Sequence, residues 1–417
     1  MSTPSSQPPG HQPAGNKAPT PHLIPALAAI LVLVGAIFFL DRVTSAQEDQ
    51  YVYRLAHIQQ HQFAVGTVIM QAAIRQPDLL PVFGSSEMLL GASGYRPRNF
   101  FSSSPTGFSV IDFSTKGITL LNITQDLAAI GPELRGKKIV VSFTPDNFRV
   151  LEVGKDEYAG NFSRMHAYGL AFSPDLSMAL KQRMARRMLD YPDTLSKDPI
   201  LAFALQNLAA NTLPNQILYY LTFPTGQLEN LDIRMQDHYS VRHFMQMNSS
   251  LSRIPPLSQK INWSDLVSEA ENQQKIISSN NPYGFENDAW LKHYHDTFEV
   301  KQPASGDSEY LNTLAATKEW EDMDMLLQTL NELGAKPLIL GRPINGILYT
   351  AAGISSRAQQ VYYNRIQTLV GRYYIPFLDF RDYTNDRYFN IDISHPSRKG
   401  YAITDQTLDA FFHGMIK

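Results

Sequence analysis

Asp392 and His395 stand three residues apart in YFNIDISHPSRKGY, residues 388–401. At that spacing a carboxylate can accept the imidazole Nδ1–H, fix the tautomer and leave Nε2 free as a general base. A base of this kind needs a nucleophile. The chain contains no cysteine, so thiol chemistry, disulfides and thiolate metal sites are excluded and a hydroxyl must serve. Ser86, in LLPVFGSSEMLL (residues 79–90), lies where an apolar run meets Gly84 and a second apolar run begins. Together the three residue types are those of acyl transfer through an activated serine. Each has a plainer reading. Gly-Ser-Ser-Glu is also the pattern of a helix N-cap with an acidic first turn, which would place Glu87 at the positive end of a helix dipole. Asp-x-x-His is also the pattern of an ion pair or a turn.

The strands and helices read around these residues argue for the catalytic reading. LLPVF (79–83), GFSVIDF (107–113) and KKIVVSFTP (137–145) read as buried strands, with MLLGASGY opening a helix after the first and ITLLNITQDLAAIGPEL forming one after the second. The pattern returns at KPLILGRPI and YIPFLDF as strands. EYLNTLAATKEWEDMDMLLQTLNELGA reads as one amphipathic helix, SSRAQQVYYNRIQTLVGRY as another, and KGYAITDQTLDAFFHGMIK closes the chain as a helix. Strand–helix alternation predicts a parallel sheet covered on both faces. In such a sheet, sites form beyond the carboxyl ends of the strands, where Ser86 after the first strand and His395 after the last would meet. Residues from about 150 to 300 are less regular and predict a helical insertion, with helices at SMALKQRMARRMLD and DPILAFALQNLAANTL and a break at SRIPPLSQ.

The chain has 417 residues and a net charge of −3, with no basic region of the kind that binds nucleic acid. Residues 1–22 are rich in Pro, Ser, Gly and Gln and predict a disordered tail. Leu23–Leu40 is about 18 residues without a charge, near the minimum for a membrane-spanning helix. Lys17 before it gives a small positive-inside bias, predicting a cytoplasmic N-terminus, a single-pass anchor in the cell membrane and an external body. A signal peptide cleaved after Ala46 is the rival reading, against which the apolar core is long. Residues 41–76 predict a helical stalk, with 47–75 helical, and 77–417 the extracytoplasmic domain.

Other candidates carry less. His293 and His295 in HYHD point apart on either a strand or a helix and read as surface histidines rather than metal ligands. Arg342 and Asn345 fall just beyond a strand, where they line the site or merely shape a loop. Tyr362 and Tyr363 read as core or rim.

GSSE after a first strand and Asp-x-x-His near the C-terminus resemble the SGNH hydrolase superfamily. FGSSE (83–87), NPYGFENDAWLKHYHD (281–296), EWEDMDMLLQTLNELGAKPLILGRPINGILYTAAGIS (319–355) and DISHPSRKGY resemble the DltD family more closely, over nearly the whole chain. The resemblance implies an SGNH-hydrolase-like three-layer α/β sandwich with a parallel sheet. It places the nucleophile on Ser86, with Ser85 at the aspartate position of the superfamily's Gly-Asp-Ser, and the remaining triad on Asp392 and His395. The superfamily's oxyanion glycine and asparagine fall loosely on Gly117 and Asn147, both of which also read as plain turn residues. Tyr401 stands where the family usually has tryptophan. The implied activity is that of a membrane-anchored serine acyltransferase or esterase in D-alanylation of an envelope polymer such as teichoic acid, beside a membrane-bound O-acyltransferase and a D-alanyl carrier protein system, with no cofactor and no metal. Acetyl transfer or removal on an exopolysaccharide, and a non-catalytic carrier-docking protein with the same pocket, are the alternatives to be separated.

Overall fold

The computed structural model describes residues 23–57, 66–247, 258–295 and 306–416. The expected tail, residues 1–22, lies outside the described residues, as does Asp296. Among the described residues, five strands form one fully parallel sheet: β1 (Leu79–Phe83), β2 (Ser109–Asp112), β3 (Lys138–Phe143), β4 (Lys336–Gly341) and β5 (Phe377–Leu378), in the order β2-β1-β3-β4-β5. Successive side chains of a strand face opposite sides, and here both sides are buried, which is why the strands are continuous apolar runs. Leu79, Phe83, Ile139, Val141 and Ile339 enter one core, and Leu80, Val82, Val140, Leu338 and Leu340 the other.

The first core is covered by helices that include Thr67–Arg75, Leu120–Ile130, Arg164–Ala171, Met178–Met188, Glu319–Glu332 and Ser356–Gly371. The second is covered by Pro97–Ser103 and the final helix, Arg398–Phe412, with Trp263 and Leu266 of the helix Trp263–Ile277 packed against it. The result is three layers. The 150–300 region therefore serves both faces: its early helices pack on the first core, and Trp263–Ile277 packs on the final helix.

Two compact units are distinguished, Met1–Ala46 and Gln47–Lys417. Leu23–His57 is one continuous helix, and Leu23–Tyr53 is long and apolar enough to cross a bilayer. Within the second unit, Val52 and Tyr53 are buried in the first core, and so are Val68, Ile69 and Met70.

Four local expectations change. MLLGASGY is not a helix: Ser86–Met88 is a single 3₁₀ turn, and Pro97 holds Arg96 in extended backbone, the conformation a following proline imposes. The run at 309–335 is two helices, Gly306–Ala316 and Glu319–Glu332, because at the break the Lys318 N–H donates to Leu151 O at 3.0 Å instead of continuing the ladder. The run 374–380 pairs only through Phe377–Leu378, since Tyr374 and Phe380 have φ of 55° and 48°. Of the helical run expected over 47–75, the described residues up to His57 and Thr67–Arg75 are helical, Gly66 is in extended backbone, and 58–65 lie outside the described residues.

Candidate active site

In the order β2-β1-β3-β4-β5 the chain changes direction between β1 and β3, and a crevice opens there at the carboxyl ends of the strands. Ser86 follows β1 across Gly84 and Ser85. Gly84 has no space for a side chain: a Cβ would lie 2.7 Å from Glu87 Oε1 and 2.9 Å from Met88 Cγ. The chain therefore turns tightly, and Ser86 heads the 3₁₀ turn Ser86–Met88. Ser85 makes no side-chain cap, and three residues of 3₁₀ carry little dipole. Glu87 is instead fully buried, and its two carboxylate oxygens accept the Ser85 N–H at 3.0 and 3.1 Å. The N-cap reading of Gly-Ser-Ser-Glu is thereby overturned.

The structure brings Ser86, His395 and Asp392 together across more than three hundred positions. His395 Nε2 lies 2.9 Å from Ser86 Oγ, and His395 Nδ1 lies 2.7 Å from Asp392 Oδ2. The other Asp392 oxygen accepts the N–H groups of Ser394 at 3.0 Å and His395 at 2.8 Å, so the carboxylate sets the shape of its own loop as well as the ring. Both side chains retain 18% exposure. Burial works against the imidazolium, but the hydrogen bond and charge of Asp392, with Glu87 and Asp146, hold the His395 pKa above the ordinary histidine value.

Beside Ser86 lies a cleft of about 290 Å³ whose wall includes Ser394, Ile118, Asp146, Val150 and Val153. Gly117 and Asn147 line it as well. Gly117 adopts φ +69°, which suits glycine. The Asn147 carbonyl oxygen accepts from Thr144 N at 3.4 Å and Thr144 Oγ1 at 3.1 Å, which leaves its Nδ2 as the donor not committed to the turn. Two larger cavities, about 820 Å³ against Trp320 and Arg365 and about 480 Å³ at the opposite end of the strands, contain no member of the serine–histidine–aspartate chain. Reactive geometry rather than volume marks the smaller cleft.

Several residues act at one remove. Arg342 does not line the cleft: it is fully buried, with Nη1 donating to Thr404 Oγ1 at 2.6 Å. Asn345 caps the helix Gly346–Ala351 and donates from Nδ2 to Asp392 O at 3.2 Å. Tyr362 and Tyr363 are core, and the Tyr363 hydroxyl accepts the Ile344 N–H at 2.8 Å. The Tyr401 hydroxyl donates to Glu87 O at 2.9 Å and to Leu90 O, tying the final helix to the nucleophile turn. His293 belongs to the π-helical turn Trp290–Tyr294, and His295 packs edge-on to Trp290.

The segment 281–295 has a role the sequence did not disclose. Phe285, Trp290, Tyr294 and Ile393 share a small apolar cluster, and the Glu286 N–H donates to Ile391 O. The aromatic stretch thus buttresses the Asp392–His395 loop. Its density of Trp, Tyr and Phe was the available signal, but only the fold shows what it packs against.

A parallel α/β sheet thus carries a serine, a histidine and an aspartate in one hydrogen-bonded chain at its topological crevice. The chain belongs to the DltD family: the family model, described as DltD protein, matches residues 57–413, a span that includes all three residues. It is similar to Protein DltD of Bacillus subtilis (strain 168), 27% identical over 401 residues that cover 93% of this chain and 96% of that one. It is also similar to Protein DltD of Staphylococcus aureus (strain NCTC 8325 / PS 47), 22% identical over 356 residues, 84% of this chain and 85% of that one.

Proposed function

We propose that this protein is a serine acyltransferase acting in D-alanylation of a cell-envelope polymer such as teichoic acid, held at the outer side of the cell membrane by its N-terminal helix. Membership of the DltD family supports the pathway. The observation that carries the chemistry is the chain Ser86 Oγ–His395 Nε2 at 2.9 Å and His395 Nδ1–Asp392 Oδ2 at 2.7 Å.

His395 takes the hydroxyl proton as Ser86 Oγ forms a bond to the carbonyl carbon of the incoming acyl ester or thioester. Asp392 stabilises the imidazolium and keeps its Nε2 edge toward Ser86. The oxyanion is received by the Ser86 N–H, with Gly117 N–H and Asn147 Nδ2 as partners. The bond to the donor oxygen or sulfur breaks, and His395 returns its proton to that leaving group. An acceptor hydroxyl then attacks the acyl-Ser86 ester, His395 takes its proton, and Ser86 is released with the proton restored. A membrane-bound O-acyltransferase, charged through a D-alanyl carrier protein system, is the donor-side partner that DltD family membership supports for this scheme.

The test replaces the gene with Ser86→Ala and measures envelope ester groups by mass spectrometry, following D-alanine and acetate together. Loss of D-alanyl ester with the variant still in the membrane is expected. Loss of acetyl ester instead would assign the chain to exopolysaccharide acetyl chemistry. Wild-type D-alanyl ester in Ser86→Ala, with loss in a deletion strain, would make the protein a docking partner and overturn the proposal.

A further inference from the structure

The buried charge beneath the nucleophile has no place in the acyl-transfer steps above. Glu87 is fully buried, yet its carboxylate spends both oxygens on one backbone N–H, that of Ser85. A buried carboxylate is costly unless it is paired. Arg342, also fully buried, stands just beyond β4 and reaches Met88, the residue after Glu87. Burial works against the Arg342 charge, and Glu87 is the foremost of the groups that support it, ahead of Tyr401 and Asp405. Arg342 in turn reaches Thr404 on the final helix and contacts Met88 Sδ at 3.1 Å. From the same helix the Tyr401 hydroxyl holds the Glu87 carbonyl. One network therefore joins the nucleophile turn to β4 and to the helix that follows the His395 loop. The absent Cβ at Gly84 is what lets the carboxylate fold back in this way.

We propose that Glu87 is a positioning residue for the serine nucleophile: its carboxylate occupies the Ser85 N–H and locks the turn that aims Ser86 Oγ at His395. This rests on the serine reading above. It has two consequences. The Ser85 N–H is removed from the set of oxyanion donors, which leaves Ser86 N–H, Gly117 N–H and Asn147 Nδ2 to receive the oxyanion. The Glu87 charge also bears on His395, in the same direction as that of Asp392. The groups that support the His395 charge are Asp392 on its own loop, Glu87 on the 3₁₀ turn and Asp146 on the turn after β3. Those coupled to Glu87 are Arg342, Tyr401, Asp112 at the end of β2 and His395 itself. Removing the Glu87 charge thus moves the serine–histidine pair in both geometry and basicity, which a purely structural residue would not do.

The experiment uses the full chain in detergent and a fluorophosphonate probe, reading the second-order rate of Ser86 labelling across pH. Wild type must label at Ser86; failure there counts against the serine reading itself rather than against Glu87. In Glu87→Gln, which keeps the size and one acceptor oxygen, the rate is expected to fall about 10- to 100-fold, the scale of a misplaced reacting atom. Its acid-side midpoint is expected to move to lower pH. Glu87→Asp restores the charge but not the reach, so its midpoint returns toward wild type while its rate stays low. If Glu87→Gln does not fold, the double variant Glu87→Gln with Arg342→Met removes both charges and serves in its place. A folded variant with a wild-type rate and midpoint would overturn the assignment. So would a reduced rate with an unmoved midpoint, which would leave Glu87 a structural role only.

Discussion

Replacing Asp392 by asparagine separates orientation from mere contact. The wild-type carboxylate accepts three hydrogen bonds, from Ser394 N, His395 N and His395 Nδ1. Asparagine can keep the first two through its carbonyl oxygen. The atom left facing His395 Nδ1 is then an NH₂ donor, which selects the tautomer with Nδ1 as acceptor and the proton on Nε2. That Nε2–H can donate to Ser86 Oγ but cannot take its proton. The loop keeps its shape while the base is silenced. The expected loss is on the order of 10⁴ in acylation rate, as for the same substitution in serine proteases, or about 5 kcal/mol of transition-state stabilisation. Thermal stability should fall by only a few degrees, because two of the three hydrogen bonds survive and the side chain is partly exposed. Burial, the largest influence on His395, would no longer be opposed by Asp392, so residual activity should show its acid-side midpoint shifted downward. The assay is fluorophosphonate labelling of Ser86 across pH, with Ser86→Ala as the blank and circular dichroism as the check on folding. A folded Asp392→Asn variant labelling within tenfold of wild type would show that Asp392 does not set the His395 tautomer.

Two further outcomes follow from the same structure. Burial raises the Asp112 carboxyl from 3.8 to about 6, so its contribution to stability is complete below about pH 4 and is lost as pH rises through about 6. Because Asp112 keeps some exposed surface, about 3 kcal/mol is the upper bound on that loss. Asp112→Asn should therefore flatten the difference between urea midpoints measured at pH 4 and pH 8, and parallel profiles for the two proteins would count against it. Deleting Met1–Ala46 removes the unit that carries the exposed apolar residues Leu23–Leu40 and leaves the unit Gln47–Lys417 whole. The truncated chain should leave the membrane fraction and unfold in one cooperative transition; sedimentation with membranes would argue for a second anchor.

Strand and helix types were legible where periodicity and apolar runs agreed, as at Leu79–Phe83, Lys138–Phe143, Ser356–Gly371 and Arg398–Phe412. They failed where a long-range partner decided the backbone. Lys318 breaks the 309–335 helix because its N–H is claimed by Leu151, and nothing local announces that. Residue chemistry in a chain without cysteine singled out Ser86, Asp392 and His395, and strand order along the sequence implied that they share one sheet edge. Those inferences needed only side-chain types, spacing and the directionality of a parallel sheet. Distances of 2.9 and 2.7 Å, the retreat of Arg342 into the core, and the turning of Glu87 from a presumed helix start to the Ser85 N–H belong to the tertiary structure alone. The physical reason is that each depends on which distant surface closes over the residue: burial and pairing are properties of the folded neighbourhood, and a linear pattern records only what a residue is able to do there.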